Sequence, residues 1–150
     1  MNKLAQWIYA YKVCSKYNLK LRYSFCKGFG QYIWDDKIVS VDFFSNNFMS
    51  IFLHEVGHHV QHQKVNYSVY LKARPGRPNI SGTCVYKNLE SEAFASRFAG
   101  KTGKCDRVFL LKCFNTYTAS MLRKPYKLCE FGIFERMIDT IEQCSRKISR

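Results

Sequence analysis

One short segment of the chain carries side chains that together could bind a metal ion and activate water. His54-Glu55-Val56-Gly57-His58 is an H-E-x-x-H sequence, and the apolar residues around it repeat at helical spacing. Residues four apart lie one turn apart on the same face of a helix, so His54 and His58 could both reach one zinc ion (Zn²⁺). Glu55 would project beside them and could take a proton from a water molecule that zinc polarises. The spacing therefore predicts a zinc site with hydrolytic chemistry.

A zinc site of this kind needs a third protein ligand, because catalytic zinc usually has three and keeps one position open. The chain has only four histidines. His59 is rotated by about 100° from His58, and His62 lies about 12 Å along the helix from His54. A carboxylate is therefore the natural third ligand. We expect His59 and His62 to lie at the surface or around the site without binding the metal.

Two glutamates in the next predicted helix are candidates for the third ligand. Glu92 shares its helix face with three small residues, which would let this helix pack closely against the helix of the first motif. Glu90 lies on another side of the helix, near its start, where the macrodipole favours an acid. We favour Glu92 over Glu90, and Cys84 is the remaining alternative. The small residues are Ala95, Ser96 and Ala99.

The elements that would position these side chains follow from the periodicity of the chain. Apolar residues at helical spacing predict a first helix, and alternating apolar and polar residues predict three strands after it. Short connections between the strands favour antiparallel pairing. We therefore expect an α+β fold, in which a small, mostly antiparallel sheet of about three strands packs on helices. The helix is predicted at residues 3–16 and the strands at 19–25, 29–34 and 38–41.

Further helices are predicted after the sheet, with a loop between the first two of them. The loop covers residues 65–85 and contains a possible short strand at 67–71. Neither an internal repeat nor a domain boundary interrupts the chain, so we expect residues 1–150 to form one domain with additional C-terminal helices. These helices are predicted at residues 48–64, 88–99 and 107–121, and beyond Pro125.

The composition excludes several classes of protein. The 150 residues are 47% hydrophobic and 23% charged, which is typical of a folded domain and not of a disordered chain. No apolar run approaches the roughly 18 residues of a membrane helix, and the N-terminal segment lacks the features of a signal peptide. The seven cysteines have irregular spacings and include no C-x-x-C pair. We expect free thiols, a cytoplasmic location and no membrane partner.

Positive charge is in large excess. Twenty-four Lys and Arg residues face eleven acids, for a formal net charge of +13. This excess predicts weak, non-specific binding of nucleic acid through a basic surface. No zinc finger, basic zipper or RNA-recognition signature is present, so sequence-specific reading is not expected.

The two motifs together resemble those of the ImmA/IrrE family of zinc metallopeptidases. That family combines a short sheet, H-E-x-x-H and, on a following helix, E-x-x-A-x-x-F-A. The resemblance spans roughly residues 18–100 and implies a zincin-like core in which His54, His58 and Glu92 bind zinc and Glu55 is the general base. It also implies a cytoplasmic enzyme of the kind often encoded by phages and mobile elements. The second motif is matched at Glu92, Ala95, Phe98 and Ala99.

The function predicted from these features is zinc-dependent endopeptidase activity on a protein or peptide substrate. A substrate strand could pair with an edge of the sheet at residues 38–41. A tyrosine could stabilise the oxyanion, with Tyr67, Tyr70 and Tyr86 as candidates. One alternative is a DNA-associated protease of the SprT-like type, although that type uses a third histidine. Another is a zinc-stabilised binding or regulatory module without turnover, which would have no need of Glu55.

Overall fold

A computed structural model describes residues 1–64 and 82–122 of the chain, and within them it has an α+β fold. The observed elements agree closely with the predicted ones, except that the third helix begins six residues before its predicted start at residue 88. The predicted strand at 67–71 and the C-terminal helix lie outside the described residues. The elements are α1 (Lys3–Lys16), β1 (Lys20–Ser24), β2 (Gly30–Ile33), β3 (Ile38–Asp42), α2 (Phe48–His62), α3 (Gly82–Lys101) and α4 (Arg107–Leu122).

The three strands form a mixed sheet, so the prediction of a mostly antiparallel sheet is wrong. Their order is β1-β3-β2, with β3 parallel to β1 and antiparallel to β2. Strand β3 lies between the other two, so β1 and β2 follow each other in the chain without pairing with each other. A parallel pair arises without a crossover helix because β2 itself carries the chain back across the sheet. The central place suits β3, since its Val39 and Val41 are almost fully buried.

A buried acid at the end of β3 holds the connection that makes this order possible. The carboxylate of Asp42 accepts hydrogen bonds from the backbone N–H groups of Gly28 (2.8 Å) and Phe44 (3.0 Å). Gly28 lies between β1 and β2 at a φ of +69°, where side chains are strained. Asp42 therefore fastens the β1–β2 connection over the end of the central strand.

Helix α2 is the central helix, and its apolar face forms much of the core. Phe52, Leu53 and Val56 are at most 1% exposed, and Val60 packs at the edge of the same cluster. On its other side α2 contacts α3 closely at Gly57, where an added Cβ would lie 2.7 Å from the Cα of Ala95. The close helix packing predicted from the small residues is confirmed. None of the described helices is long and apolar enough to cross a membrane.

Candidate metal centre

Two neighbouring helices bring the three predicted ligands together. His54 and His58 extend from α2 with their Nε2 atoms 3.1 Å apart. Glu92 extends from α3, its Oε2 lying 3.1 Å from Nε2 of His54 and its Oε1 3.5 Å from Nε2 of His58. All the candidate ligand atoms lie within 4.8 Å of one another, so this cluster could hold a metal ion. Glu90 is not part of it.

The hydrogen bonds around the cluster direct both imidazoles toward one point. The Oγ of Ser91 donates to Oε1 of Gln61 at 2.7 Å, so this hydroxyl can only accept from Nδ1–H of His58, which lies 3.2 Å away. Nδ1 of His54 lies 3.2 Å from the Oγ of Ser96. With Nδ1 of each ring beside a serine hydroxyl, both Nε2 atoms face the carboxylate of Glu92.

This donor set fits a cation. The two Nε2 atoms lie 3.1 Å apart, so their lone pairs repel unless a proton on one ring or a metal ion lies between them. Two imidazole nitrogens and one carboxylate are ligands that zinc accepts at catalytic sites. Hydrogen bonds from the far ring nitrogens are also the usual support of metal-binding histidines. The residues present therefore match a zinc site in type, number and orientation.

The charges of the cluster are strongly coupled through its burial. Burial lowers the pKa of His58 to about 4. Burial also acts to lower the pKa of His54, but its hydrogen bond with Glu92 and the charge of Glu92 outweigh burial and raise this pKa. Burial opposes ionisation of Glu92, yet the two histidines hold its pKa below the usual range. Glu92 is thus an ionised, half-buried carboxylate, which is a suitable partner for a cation.

Glu55 lies next to the cluster without belonging to it. Its side chain is buried, with 9% of the residue exposed, and its carboxylate accepts a hydrogen bond from the backbone N–H of Tyr32. Burial raises the pKa of Glu55 to about 7, with Glu92 adding to this effect and His54 opposing it. Strand β2 can approach because it has a glycine here: a Cβ on Gly30 would lie 3.0 Å from Oε1 of Glu55.

Two residues of the cluster, His54 and Glu92, line a cavity of about 200 Å³ together with Glu55. Helix α2 and Glu92 form one side of it, and strand β2 and the preceding loop contribute Gly28 and Gly30. Among the described residues, helix α4 forms the remaining wall. Among the described residues that line the cavity there is no Lys or Arg. The wall from α4 consists of Phe109, Leu110, Cys113, Phe114 and Tyr117.

The other two histidines of α2 lie outside the cluster, as predicted, but His59 is not at the surface. It is 1% exposed, and its Nε2 lies 3.2 Å from the carbonyl oxygen of Tyr17. If Nε2–H donates there, Nδ1 accepts from the hydroxyl of Tyr32 at 2.9 Å. His59 therefore joins α2 to α1 and to β2. His62 is half-buried, and its ring contacts that of Trp34 edge-on.

The sheet edge nearest the cavity is not the predicted one. Residues 38–41 belong to β3, which is paired on both sides and cannot accept a substrate strand. Strand β2 lies at the edge of the sheet that the described residues form, and its Gly30 lines the cavity. Strand β2 thus replaces β3 as the candidate for substrate pairing.

Several residues around the centre were missed from the sequence. Ser91 and Gln61 carry no signal of their own, because a buried serine and glutamine are recognisable only once the helices are paired. Tyr117 lines the cavity, whereas Tyr67 and Tyr70 and the side chain of Tyr86 lie outside the described residues. The spacing of Phe109, Cys113 and Tyr117, each four residues apart, is a helical stripe that could have indicated a common wall.

Comparisons with protein-family models, with characterised proteins and with solved structures found no significant match to this chain. The likeness to the ImmA/IrrE family accordingly rests on the two motifs alone.

Proposed function

We propose that this chain is a zinc-dependent endopeptidase. The observation that carries the proposal is the position of Glu55: a buried carboxylate that lines the same cavity as His54 and Glu92 of the cluster but is not one of the candidate ligands. A site that only held a structural metal would more commonly have four protein ligands and no open position. A buried acid beside three ligands and an open cavity supports hydrolysis over a structural role.

In this proposal each residue has a separate task. His54, His58 and Glu92 would hold zinc, and Ser91 and Ser96 would keep the imidazoles turned toward it. When bound, zinc supplies a Lewis acid that polarises the substrate carbonyl and makes water more acidic.

Glu55 moves the proton in this proposal. Its carboxylate accepts a proton from the attacking water and passes it to the leaving amine, which is general base and then general acid catalysis. The backbone N–H of Tyr32 donates to this carboxylate and would hold it in place. Because Tyr32 belongs to edge strand β2, a substrate strand paired with β2 would lie beside Glu55.

Four further points belong to the same proposal and are supported by the two motifs. They are membership of the ImmA/IrrE-like family, a zincin-like core, a phage or mobile-element origin and a cytoplasmic location. The SprT-like alternative finds no support in the described residues, since neither His59 nor His62 reaches the cluster. The regulatory module without turnover differs from the peptidase only in the role of Glu55. An experiment on Glu55 therefore separates them.

We expect Glu55→Gln to keep one zinc per chain and the native fold but to lose cleavage of casein or peptide by about 10²–10⁴-fold, the usual contribution of general acid–base catalysis. Zinc is measured by elemental analysis, the fold by circular dichroism and cleavage by product release. Asp36→Asn, the same kind of change at an exposed turn, is the matched control and should leave turnover unchanged. Equal turnover in Glu55→Gln and wild type would remove Glu55 from the mechanism, and a zinc-loaded wild type that cleaves nothing would favour the regulatory module.

A further inference from the structure

The wall that α4 contributes to the cavity has no task in the chemistry described above. Four of its five residues are apolar or sulfur-containing, and the fifth is a tyrosine. Leu110 and Phe114 are almost fully buried, so they fix the wall in the core. Cys113 is exposed and yet lines the cavity, which places it where solvent enters. An apolar surface thus stands across the cavity from His54, Glu55 and Glu92.

The size of the cavity matches one side chain. A volume of about 200 Å³ is below the range of about 300–1,000 Å³ that encloses whole drug-sized ligands. It is larger than the roughly 150 Å³ of an engineered apolar cavity that binds benzene in another protein. A leucine or phenylalanine side chain would fit beside the ligands, whereas several residues of a peptide would not.

The charges around the cavity disfavour a charged occupant. An acidic side chain would meet Glu55 and Glu92 without a Lys or Arg among the described lining residues. A basic side chain would lie beside the zinc ion that His54, His58 and Glu92 would hold, and the two positive charges would repel each other. Burying a charge without a free partner is costly. An apolar side chain needs no partner and removes apolar surface of α4 from water.

We infer that the cavity bounded by the α4 wall is the specificity pocket of this enzyme. It selects substrates with a leucine- or phenylalanine-sized apolar residue next to the scissile bond. The inference rests on the proposed peptidase function and names the substrate class of the same site. Phe109, Cys113 and Tyr117 are then specificity-determining residues, because one stripe of α4 places them along the pocket.

A peptide library cleaved by the zinc-loaded protein tests the inference directly. In peptides that differ at one position next to the scissile bond, kcat/KM should be higher for Leu or Phe than for Ala, Asp or Lys by about 10–200-fold, as is usual for apolar pockets. Cys113→Phe adds a ring at the exposed part of the wall and should narrow the pocket. This variant should lose the preference for Leu and Phe while still cleaving the Ala peptide.

Val108→Phe is the matched control, since it adds the same ring to the same helix at a residue that is 77% exposed and does not line the cavity. It should keep the wild-type preference. Cleavage by wild type with no preference among these residues, or an unchanged preference in Cys113→Phe, would overturn the inference and leave the peptidase function intact.

Binding of amino-acid hydroxamates provides a readout that does not depend on turnover. Hydroxamates of Gly, Leu, Phe and Asp bind zinc through the same group and differ only in the side chain. Titration calorimetry on the zinc-loaded Glu55→Gln protein should show tighter binding of the Leu and Phe compounds by about 10-fold or more. The same selectivity without any cleavage by wild type would overturn the peptidase function but support the pocket, and equal affinity for all four would overturn the pocket.

Discussion

At the scale of single residues, the candidate centre depends on two serines as much as on its histidines. The Oγ of Ser91 accepts a hydrogen bond from Nδ1–H of His58, because the hydroxyl proton of Ser91 is donated to Gln61. Without that relay the imidazole of His58 could carry its proton on Nε2, where it would block the metal. Ser91 is buried, which shields this contact from bulk solvent. The ring orientation is therefore set by the packing of α3 on α2.

Removing the relay should weaken the site without removing a ligand. We expect Ser91→Ala to lower zinc affinity by about 10–100-fold, the usual effect of losing a residue that supports a metal ligand. Competition with a chromophoric chelator measures the affinity. Ser120→Ala, at an exposed position on α4, is the control and should bind zinc like wild type. Equal affinities in both variants would mean that Ser91 does not orient His58.

The two glutamates of α3 provide a sharper test of the ligand set. Glu92 contacts both histidines, whereas Glu90 is absent from the cluster. The two glutamates are two positions apart on one helix, so their side chains are separated by about 200° of rotation. They therefore cannot face the same ion. Glu92→Ala should lose stoichiometric zinc on dialysis against a weak chelator, and Glu90→Ala should retain it. The reverse result would show that the register of α3 is wrong.

At the scale of elements, the centre exists because α2 and α3 approach each other unusually closely. The approach occurs at Gly57, which lies between Glu55 and His58 and contacts the backbone of Ala95. Glu92 lies about one turn before Ala95 on α3, and its carboxylate contacts both histidines across this close helix pair. A glycine inside a helix usually costs stability. Here it is needed because backbone, and not a movable side chain, occupies the space.

Adding one methyl group at this contact should separate the helices. In Gly57→Ala the new Cβ would lie 2.7 Å from Cα and 2.9 Å from the carbonyl oxygen of Ala95, so the backbone must shift. We expect a loss of about 1–3 kcal/mol in the free energy of unfolding, the usual cost of overpacking, together with weaker zinc binding. Urea unfolding of the metal-free protein and chelator competition measure the two effects. Lys112→Ala, at an exposed position, should change neither, and a Gly57→Ala protein of wild-type stability would contradict the packing described.

The same elements indicate how much the sequence could reveal. Helix and strand positions were predictable because periodicity reports which face of each element is buried, and two helical spacings favoured the three candidate ligands that the structure brings together. The order of the strands in the sheet was not predictable, since it depends on which strand pairs with both of the others. In β3 the polar residues Ser40 and Asp42 look like a solvent face, yet both are buried. Asp42 tolerates this because backbone N–H groups from the neighbouring loops satisfy its carboxylate.

At the scale of the whole molecule, the positive charge is not confined to one element, but the described residues include one place where it converges. A cavity between α1 and the end of α3 is lined by Lys12, Lys16 and Lys101, with Tyr9, Tyr17 and Phe98 between them. The ammonium group of Lys104 lies 4.9 Å from the centre of the Tyr9 ring. This cavity shares no lining residue with the one at the candidate metal centre. Lysines interleaved with aromatic rings are the usual features of surfaces that bind single-stranded nucleic acid.

The protein should bind single-stranded nucleic acid weakly, without sequence preference, and chiefly at low salt. Each lysine that neutralises a phosphate contributes about 0.7 to the slope of log K against log salt, because a counterion is released. Replacing Lys12, Lys16 and Lys101 by Gln should therefore make the slope shallower by about 2, measured by fluorescence anisotropy of a labelled oligonucleotide. The control replaces the exposed residues Lys20, Lys27 and Lys37, which changes the net charge equally. If both triple variants weaken binding alike, the overall charge and not this cavity attracts the strand, and sequence-selective binding that survives high salt would instead indicate a DNA-directed function.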